Sequence, residues 1–547
     1  MKPFFYTYRV FQKLQWILIG SALFAVLFHF FGLSQTFLFN EDIWVRTKFT
    51  LNNFWRSGEG VHFSPLHNLI RALTNDFLPL WGTFSHLQMM ISYLVFVILC
   101  FCFFKKKLQL EPWLVWLGIG ILTTIPFITE GTFWIFGSHT FYSTIVFLAA
   151  LVFFPDNDKE MQWQSWLVPG TMLLLMLSAS PVTYASYFLL IIYLTVRFYK
   201  QTKILAVIGG LFLLGMLYIY IRNLFINGDG WTFTYQASVS YGMNQQFSFV
   251  TSLESLVEIL EYSNPLIVLQ RHLFDGYLSQ SSRSFFSLFH LFWVLPLWGI
   301  ILFRRSSKGW EVFIYGVGAA AALMMVAPPL ATRLLIPLML VQTTGFLLLL
   351  HYWIHPLQII KKILILLIGL CVIGSNLTAK IEAEWYHWIL PKRIEQTILD
   401  IAVQTKDQEV PLVLLTHTAW KKQSIDHPSY ASGSSATLGG LRKILGFAGI
   451  HRCIYQGYRE DANPQEIEMV HNENDIVFFY VYQTIYTCPA ILQEAQPVLC
   501  YQYNESLSVF GEFQQIRGNV TVPGSTKVNP ADWNIHDQTY SIQVHCI

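Results

Sequence analysis

Long apolar runs, each about 15–22 residues in length, alternate with short polar segments over roughly the first two thirds of the chain. A helix of that length crosses the hydrocarbon core of a bilayer. The pattern therefore predicts a polytopic α-helical membrane protein with about eleven transmembrane helices. Three of the runs are short, which leaves the count open by one or two. The predicted helices lie near residues 15–34, 83–104, 113–128, 134–154, 164–178, 181–198, 204–221, 285–303, 312–327, 333–351 and 361–376.

The composition agrees with a protein that lipid covers. Of the 547 residues, 54% are hydrophobic and only 12% are charged, whereas soluble globular proteins carry roughly 25% charged residues. The net charge of +2 gives no basis for binding nucleic acid. No small-residue cleavage site follows the first apolar run, so we expect this run to remain as a helix and not to be removed as a signal peptide.

Lysine and arginine are distributed unequally between the segments that connect the predicted helices. One alternate set of segments is short and carries 15 of these residues, and the other set is much longer and carries 8. Cytoplasmic loops of membrane proteins are enriched in Lys and Arg, so the richer set is expected inside. The N-terminus then lies in the cytoplasm, and an odd number of helices places the C-terminal region outside.

The chain is expected to divide after the last predicted helix. Residues 1–376 form a transmembrane domain with long outer loops at 35–82 and 222–284, and residues 377–547 return to ordinary polarity. Runs of branched and aromatic residues alternate there with a helical pattern, which predicts a small extracytoplasmic α/β domain. Strands are predicted at 412–415, 476–481 and 498–503, and a helix around Ile394, Ile398 and Ile401.

The second long outer loop contains its own helical pattern. Residues 251–254 have the spacing of a capping box, and one helical face follows it. We expect a helix that lies over the outer ends of the transmembrane helices. The residues of the apolar face are Leu253, Leu256, Val257 and Leu260.

The predicted transmembrane runs hold no Asp, Glu, Lys or Arg away from their ends. Ion-coupled transporters usually place such groups in the middle of the membrane, where they bind or relay the coupling ion. Their absence from the predicted runs argues against a proton- or sodium-driven carrier, although a facilitator stays possible.

The first outer loop has the highest density of candidate chemistry. Glu41 and Asp42 directly follow the first apolar run, and Arg46 and Lys48 come next among aromatic residues whose spacing suits an interfacial helix. An acid fixed at the interface can take a proton from a hydroxyl, and neighbouring basic groups can neutralise a leaving phosphate. A structural role fits as well, with Asp42 capping the next helix and the basic residues touching headgroups.

The acid of the next outer loop, residues 129–140, is Glu130. A second acid that faces the same cavity would orient an acceptor hydroxyl. A helix-terminal carboxylate is an equally good interpretation of this residue.

An acidic pair after the first helix, a long first outer loop, a body of many helices and an outer C-terminal domain resemble the GT-C superfamily of integral-membrane glycosyltransferases. Residues 62–66, His-Phe-Ser-Pro-Leu, are similar to a proline-containing segment of the same loop in that superfamily. Residues 331–337, Ala-Thr-Arg-Leu-Leu-Ile-Pro, are similar to its Arg-to-Pro segment that opens a late helix. Protein O-mannosyltransferases and lipid A aminoarabinose transferases belong to it. No WWD-like stretch occurs, which disfavours an oligosaccharyltransferase.

The resemblance implies a fold, a reaction and a set of site residues. It implies an inverting transfer of sugar from a polyprenyl-phosphate carrier to a glycan, lipid or protein acceptor. Asp42 would act as the base, with Glu41 as its neighbour or substitute. A divalent metal ion is possible but no ligand set is evident. The remaining site residues are Arg333, with Arg46 or Lys48, for the donor phosphate, and His62 and Glu130 for the cavity.

Three other functions remain open from the sequence. The first is a flippase or transporter of a lipid-linked glycan, which vesicle transport without sugar transfer would reveal. The second is a polymerase or ligase of surface polysaccharide, which differs in product length, and the third is a non-catalytic scaffold. Short loops and an uncleaved N-terminus fit a bacterial inner membrane, with the C-terminal domain in the periplasm.

Overall fold

A computed structural model of the chain divides into two compact units, Met1–Ser34 with Val45–Glu384 and Gln35–Trp44 with Trp385–Ile547. In the first unit the structure describes residues 2–35, 65–66, 69–70, 83–133, 138–155, 162–227, 256, 259–260, 263–266, 269, 307–324, 332–354 and 359–384. In the second it describes residues 385, 389, 404, 412–416, 454–459, 479–481, 484–486, 496–497, 499–504, 512–515, 521–522, 534–535 and 538–545.

The described part of the first unit is helical throughout. Short 3₁₀ turns at Trp163–Trp166, Pro181–Thr183 and Thr332–Leu335 lead into helices α6, α7 and α10, and a π-helical turn at Phe103–Lys107 extends α2. The α-helices are α1 (Lys2–Gln35), α2 (Thr83–Cys102), α3 (Pro112–Thr124), α4 (Phe127–Phe133), α5 (His139–Phe153), α6 (Leu167–Ala179), α7 (Tyr184–Arg197), α8 (Thr202–Asn227), α9 (Ser307–Leu323), α10 (Ile336–Ile354) and α11 (Ile359–Glu384).

The chain is an integral membrane protein. Among the described residues, four helices are long and apolar enough to cross a bilayer, at Thr7–Ser34, Leu87–Lys107, Thr202–Leu224 and Ile359–Glu384. Four shorter apolar helices accompany them. Each predicted transmembrane segment coincides with a described helix except 285–303, which lies outside the described residues. The predicted count of eleven therefore stays a prediction.

Proline breaks the third predicted segment. Helix α3 ends at Thr124 and Ile125 is extended, because the residue before a proline avoids the helical conformation. Helix α4 starts directly after Pro126, where the Thr129 amide donates to the Pro126 carbonyl over 3.0 Å. The prediction of a loop from residue 129 was therefore wrong, since residues 129–133 are helical and Glu130 lies on α4.

The last helix of the unit is longer than predicted. Helix α11 continues to Glu384, past the expected end at residue 376. Lys380 and Glu384 thus belong to an apolar helix of the membrane unit, and both side chains are fully buried. The predicted runs themselves hold no charge away from their ends, but the helix that continues beyond residue 376 buries two charged side chains, because Asn376, Lys380 and Glu384 share one inward helical face.

At one end of the unit, basic side chains contact a buried carboxylate and a backbone carbonyl. The Arg197 guanidinium contacts Glu311 over 2.6 Å, and the Lys107 amine donates to the Phe154 carbonyl over 2.8 Å. The first contact joins the end of α7 to the start of α9, and the second joins the π-helical turn after α2 to the residue that follows α5. All of the lysines and arginines involved come from the segments predicted to face the cytoplasm.

Helices α7 and α9 approach each other closely at a glycine. The Ser186 hydroxyl of α7 donates to the Tyr315 carbonyl of α9 over 2.8 Å. A Cβ atom at Gly318 would overlap with the backbone N and Cα of Ser186. The two backbones therefore depend on the missing side chain at Gly318, as is common where helices pack in lipid.

The second unit contains a six-stranded mixed sheet with the order β7-β6-β1-β2-β10-β9. Its centre is parallel, with β1 paired to β2 and to β6, and the outer pairs are antiparallel. Parallel neighbours require long crossover connections, which here lie outside the described residues, as does the predicted helix around Ile398. The strands are β1 (Leu412–Thr416), β2 (Ile454–Arg459), β3 (Phe479–Val481), β4 (Thr484–Tyr486), β5 (Gln496–Pro497), β6 (Leu499–Asn504), β7 (Glu512–Gln515), β8 (Thr521–Val522), β9 (Asn534–Ile535) and β10 (Gln538–His545).

We expect Gly318→Ala to lower the unfolding temperature of the purified protein. The added methyl group meets backbone atoms that no side-chain rotation can move, and overpacking of this kind costs about 1–3 kcal/mol. Gly209→Ala on α8 is the matched control, because a Cβ atom there meets nothing within 4 Å. Thermal unfolding in detergent compares the two, and an equal effect of both substitutions would contradict the proposed close approach.

Candidate functional site

Two of the predicted site residues lie on described elements. Glu130 is part of α4, and Arg333 is part of the 3₁₀ turn Thr332–Leu335 that opens α10. The other five, Glu41, Asp42, Arg46, Lys48 and His62, lie outside the described residues.

Helix α4 and the turn that carries Arg333 pack directly against each other. The two elements are far apart in the sequence, and each was singled out independently as a candidate for substrate contact. Both lie at the end of the unit opposite to the paired basic residues Lys107 and Arg197. The fold therefore brings the backbones of Glu130 and Arg333 into one region, at the end predicted to face outward.

Part of the second outer loop covers this region. Ile259 is fully buried in an apolar cluster with Leu335, the last residue of the Arg333 turn, and Val182, and Leu256 packs against the same cluster. A helix was predicted here, and Leu256, Ile259 and Leu260 are helical. The predicted face omitted Ile259, the most buried of the three, which shows that the buried stripe is rotated towards this residue.

Two amides of the transmembrane helices fasten the loop. The Gln342 side chain of α10 donates to the Leu260 carbonyl over 3.1 Å and to the Ser263 hydroxyl over 2.6 Å. The Asn376 side chain of α11 donates to the Pro265 carbonyl over 3.3 Å. Buried backbone carbonyls need such donors in a membrane protein, so this stretch of the loop is fixed to the bundle.

A buried ionic cluster lies at the other side of α4. The Glu384 Oε1 atom is 2.5 Å from His29 Nδ1 and 3.6 Å from Lys380 Nζ, and the Thr129 hydroxyl donates to it over 3.4 Å. All four side chains are shielded from solvent. One carboxylate oxygen therefore joins α1, α4 and α11.

The lysine of the cluster reaches two further helices. Lys380 Nζ donates to the Thr123 carbonyl of α3 over 2.6 Å and to the Tyr93 hydroxyl of α2 over 3.4 Å. Its three donors are thus divided between α2, α3 and Glu384. The whole cluster links five helices through charged or charge-assisted contacts, which are stronger than neutral ones.

Two buried polar atoms of the cluster have no hydrogen-bond partner among the residues that the structure describes. They are Nε2 of His29 and Oε2 of Glu384. The His29 ring lies against Tyr93 and Phe133, with ring centroids 4.2 and 5.2 Å away. A Cβ atom on Gly32 would lie 3.1 Å from Oε2. Gly32 therefore leaves room for the carboxylate beside α1.

The sequence analysis missed this cluster for two reasons. His29 stands alone in an apolar run, and Lys380 and Glu384 were assigned to the polar domain. One signal was available, because Asn376, Lys380 and Glu384 follow one another at intervals of four residues and thus share a helical face.

Metal binding was left open by the sequence. Among the described residues no group of three or more His, Cys, Asp or Glu side chains could hold a metal ion. The acidic pair and His62 lie outside them.

We expect Lys380→Met to destabilise the protein strongly, because it leaves the Glu384 carboxylate buried without its cation. Breaking a buried ion pair typically costs about 3–5 kcal/mol. The double variant Lys380→Met/Glu384→Leu has neither charge. Its loss of unfolding free energy should be smaller than the sum of the losses in the two single variants. Unfolding in increasing denaturing detergent measures these differences.

Lys362→Met is the matched control for this experiment. Lys362 contacts Glu111 over 2.7 Å, but the two side chains are 23% and 32% exposed. A partly exposed pair contributes about 0–1 kcal/mol. If Lys362→Met and Lys380→Met weaken the protein equally, the buried cluster does not have the structural weight assigned to it.

Solved structures, but no family model and no curated protein, include matches to this chain. Among solved structures it is similar to ArnT from Cupriavidus metallidurans bound to undecaprenyl phosphate, with a TM-score of 0.41, 12% identity, and coverage of 81% of this chain and 93% of that chain. ArnT in the apo state gives a TM-score of 0.38, 12% identity, and coverage of 81% and 92%. ArnT is a lipid A aminoarabinose transferase of the GT-C fold, the superfamily that the sequence motifs resemble.

Proposed function

We propose that this protein is a glycosyltransferase that moves a sugar from a polyprenyl-phosphate carrier to an acceptor outside the cytoplasm. The observation that carries the proposal is the packing of the Arg333 turn against the helix that carries Glu130. A basic and an acidic candidate then stand on touching elements at one end of the membrane unit. A lipid-linked sugar presents its phosphate and its scissile bond at the membrane surface, where both charges are needed.

The reaction requires one base and one group that stabilises the leaving phosphate. Asp42 takes the proton from the acceptor hydroxyl as the new bond to the sugar carbon forms, with Glu41 as its neighbour. The bond from that carbon to the carrier phosphate breaks, and the phosphate keeps the electron pair. Arg333, with Arg46 or Lys48, neutralises the added charge. Attack from the face opposite to the phosphate inverts the configuration.

The described structure next to Arg333 supports its role in stabilising the leaving phosphate. The loop at residues 256–266 is hydrogen-bonded to α10 and α11, and its Ile259 packs on Leu335 beside Arg333. A group that stabilises a transition state acts best when its backbone is held in place before the reaction. Glu130 and His62 would line the cavity, and Glu130 would orient the acceptor.

Location and acceptor follow from the same proposal. In this proposal the N-terminus lies in the cytoplasm and the C-terminal domain outside, in a bacterial inner membrane, which is the orientation that the excess of basic residues in one set of loops predicts. The C-terminal domain would bind the acceptor, which is a cell-envelope glycan, a lipid or a protein.

We expect Asp42→Asn to abolish sugar transfer without loss of folded protein. The amide cannot accept the proton, and general-base catalysis contributes roughly 10²–10⁴-fold. Membranes that carry either form are supplied with a panel of radiolabelled polyprenyl-phosphate sugars, and the labelled product is counted. Asp76→Asn, the same change in the same outer loop, is the control and should transfer sugar normally. Full activity of Asp42→Asn would remove Asp42 from the mechanism.

We also expect Arg333→Gln to reduce the rate of transfer by roughly 10²–10³-fold, because loss of one electrostatic donor to a developing anion has that effect. Arg333→Lys keeps the charge but loses the forked geometry of the guanidinium. Its transfer rate should therefore fall between those of the wild type and Arg333→Gln. Single-turnover measurements with saturating donor separate this loss from weaker binding. Equal rates for Arg333→Gln and the wild type would disconnect the turn from the donor phosphate.

The buried cluster favours one alternative function. A His, a Lys and a Glu inside a transmembrane bundle are the kind of groups with which proton-driven carriers bind or relay protons. A flippase for a lipid-linked glycan would then use His29 and Glu384 to couple movement to protons. Translocation by purified protein in vesicles that depends on a pH gradient, with no sugar transfer, would support this alternative over the transferase.

A further inference from the structure

Arg222 on α8 lies at the depth of one lipid headgroup layer. It is twenty residues along the helix from Thr202, which corresponds to about 30 Å at 1.5 Å per residue. That length equals the thickness of the hydrocarbon core. Lys203 stands exposed at the other end of the same helix, in the loop set predicted to face the cytoplasm. Arg222 therefore lies at the predicted outer surface.

The guanidinium of Arg222 is buried, and only some of its N–H groups have hydrogen-bond partners among the described residues. The residue is 8% exposed. Its Nη1 donates to the Asn223 side-chain oxygen over 3.1 Å, and its central carbon lies 5.6 Å from the centre of the Tyr184 ring. Its Nε is buried without a hydrogen-bond partner. Within the part of the chain that the structure describes, no carboxylate pairs with this arginine.

An anion would stabilise the buried positive charge of Arg222. An arginine does not lose its proton in a protein, so it cannot escape the cost of burial by becoming neutral. One neutral hydrogen bond and one aromatic face compensate a buried cation only in part. The charged members of the His29–Glu384 cluster, in contrast, have partners of opposite charge. The Nε donor of Arg222, which has no partner among the described residues, can donate to a phosphate oxygen.

The position of Tyr184 connects Arg222 to the candidate site. Tyr184 directly follows the turn Pro181–Thr183, whose Val182 packs in the same apolar cluster as Leu335 of the Arg333 turn. Tyr218, one turn before Arg222, meets the Tyr184 ring edge-on at 6.2 Å between centroids. The ring that faces the guanidinium is thus held by a neighbour on each side, next to the outer mouth of the bundle.

We propose that Arg222, together with Asn223 and Tyr184, binds the phosphate at the head of a lipid in the outer headgroup layer. The shared chemistry is a phosphate ester on a long apolar chain. Exposed leucines of α8, among them Leu217 and Leu224, leave the lipid side of this helix open to such a chain. The choice of a polyprenyl-phosphate donor as the lipid rests on the proposed function, and a bulk anionic phospholipid is the other source.

Binding of undecaprenyl phosphate to the full-length protein in phosphatidylcholine nanodiscs tests this site. Arg222→Gln should weaken binding roughly tenfold or more, the loss expected for charge-assisted bonds. Lys203→Gln, which removes one exposed cation from the same helix, should bind like the wild type. Undecaprenol, which has no phosphate, should bind both variants alike, and phosphatidylglycerol competes for the site only if bulk lipid is the natural occupant.

The ligand-free stability separates binding from a structural role. If Arg222 serves a ligand, Arg222→Gln removes an uncompensated charge, so it should unfold at the same or a higher temperature than the wild type while losing the stabilisation by undecaprenyl phosphate. A lower unfolding temperature with unchanged affinity would overturn the proposal. Should Arg222→Gln fail to fold, Arg222→Lys and Tyr184→Leu give the same comparison.

The outcome is independent of catalysis. Undecaprenyl phosphate carries no sugar, so its binding does not require transfer, and Asp42→Asn should bind it normally. Loss of binding in Arg222→Gln with no transfer by the wild type would support the phosphate site and contradict the transferase. If phosphatidylglycerol competes for the site as well as undecaprenyl phosphate does, a polyprenyl-phosphate donor is not the specific ligand. The site then binds the phosphate of a bilayer lipid.

Discussion

A carboxylate inside a lipid-covered bundle must find its donors within the protein, and one oxygen of Glu384 contacts three side chains. It takes contacts from His29 on α1, Thr129 on α4 and Lys380 one turn earlier on α11. Lys380 extends the network to α2 and α3. The positions of these helix ends therefore depend on one another, because moving any of them would leave a buried charge without a partner.

Helix α4 transmits this constraint to the candidate site. On one side its Thr129 and Phe133 contact the buried cluster. On the other side the helix packs against the turn that carries Arg333. A short helix with fixed neighbours on both sides offers a rigid support for Glu130.

The membrane unit contains buried charge of two kinds. Glu384 and Lys380 compensate each other and hold helices together, which is a structural use of charge even where His29 adds the possibility of proton binding. Arg222 has an aromatic face and one amide oxygen but no described acid. Charges of the first kind have partners of opposite charge within the chain, whereas the second kind is paired by a ligand in the proposal made above. This difference, and not burial by itself, distinguishes a binding residue from a structural one.

The sequence by itself determined the membrane class and the apolar segments that form the described helices, because apolar length acts through a local physical rule. The strands at 412–415 and 498–503 followed from side-chain type in the same way, and appear as β1 and β6. The Arg-to-Pro segment was found through its resemblance to a known superfamily. Tertiary structure alone decided that Lys380 and Glu384 belong to the membrane unit, that Ile259 is buried and that no acid among the described residues pairs with Arg222. The partners of a buried charged residue come from distant parts of the chain, so a local sequence pattern cannot predict them.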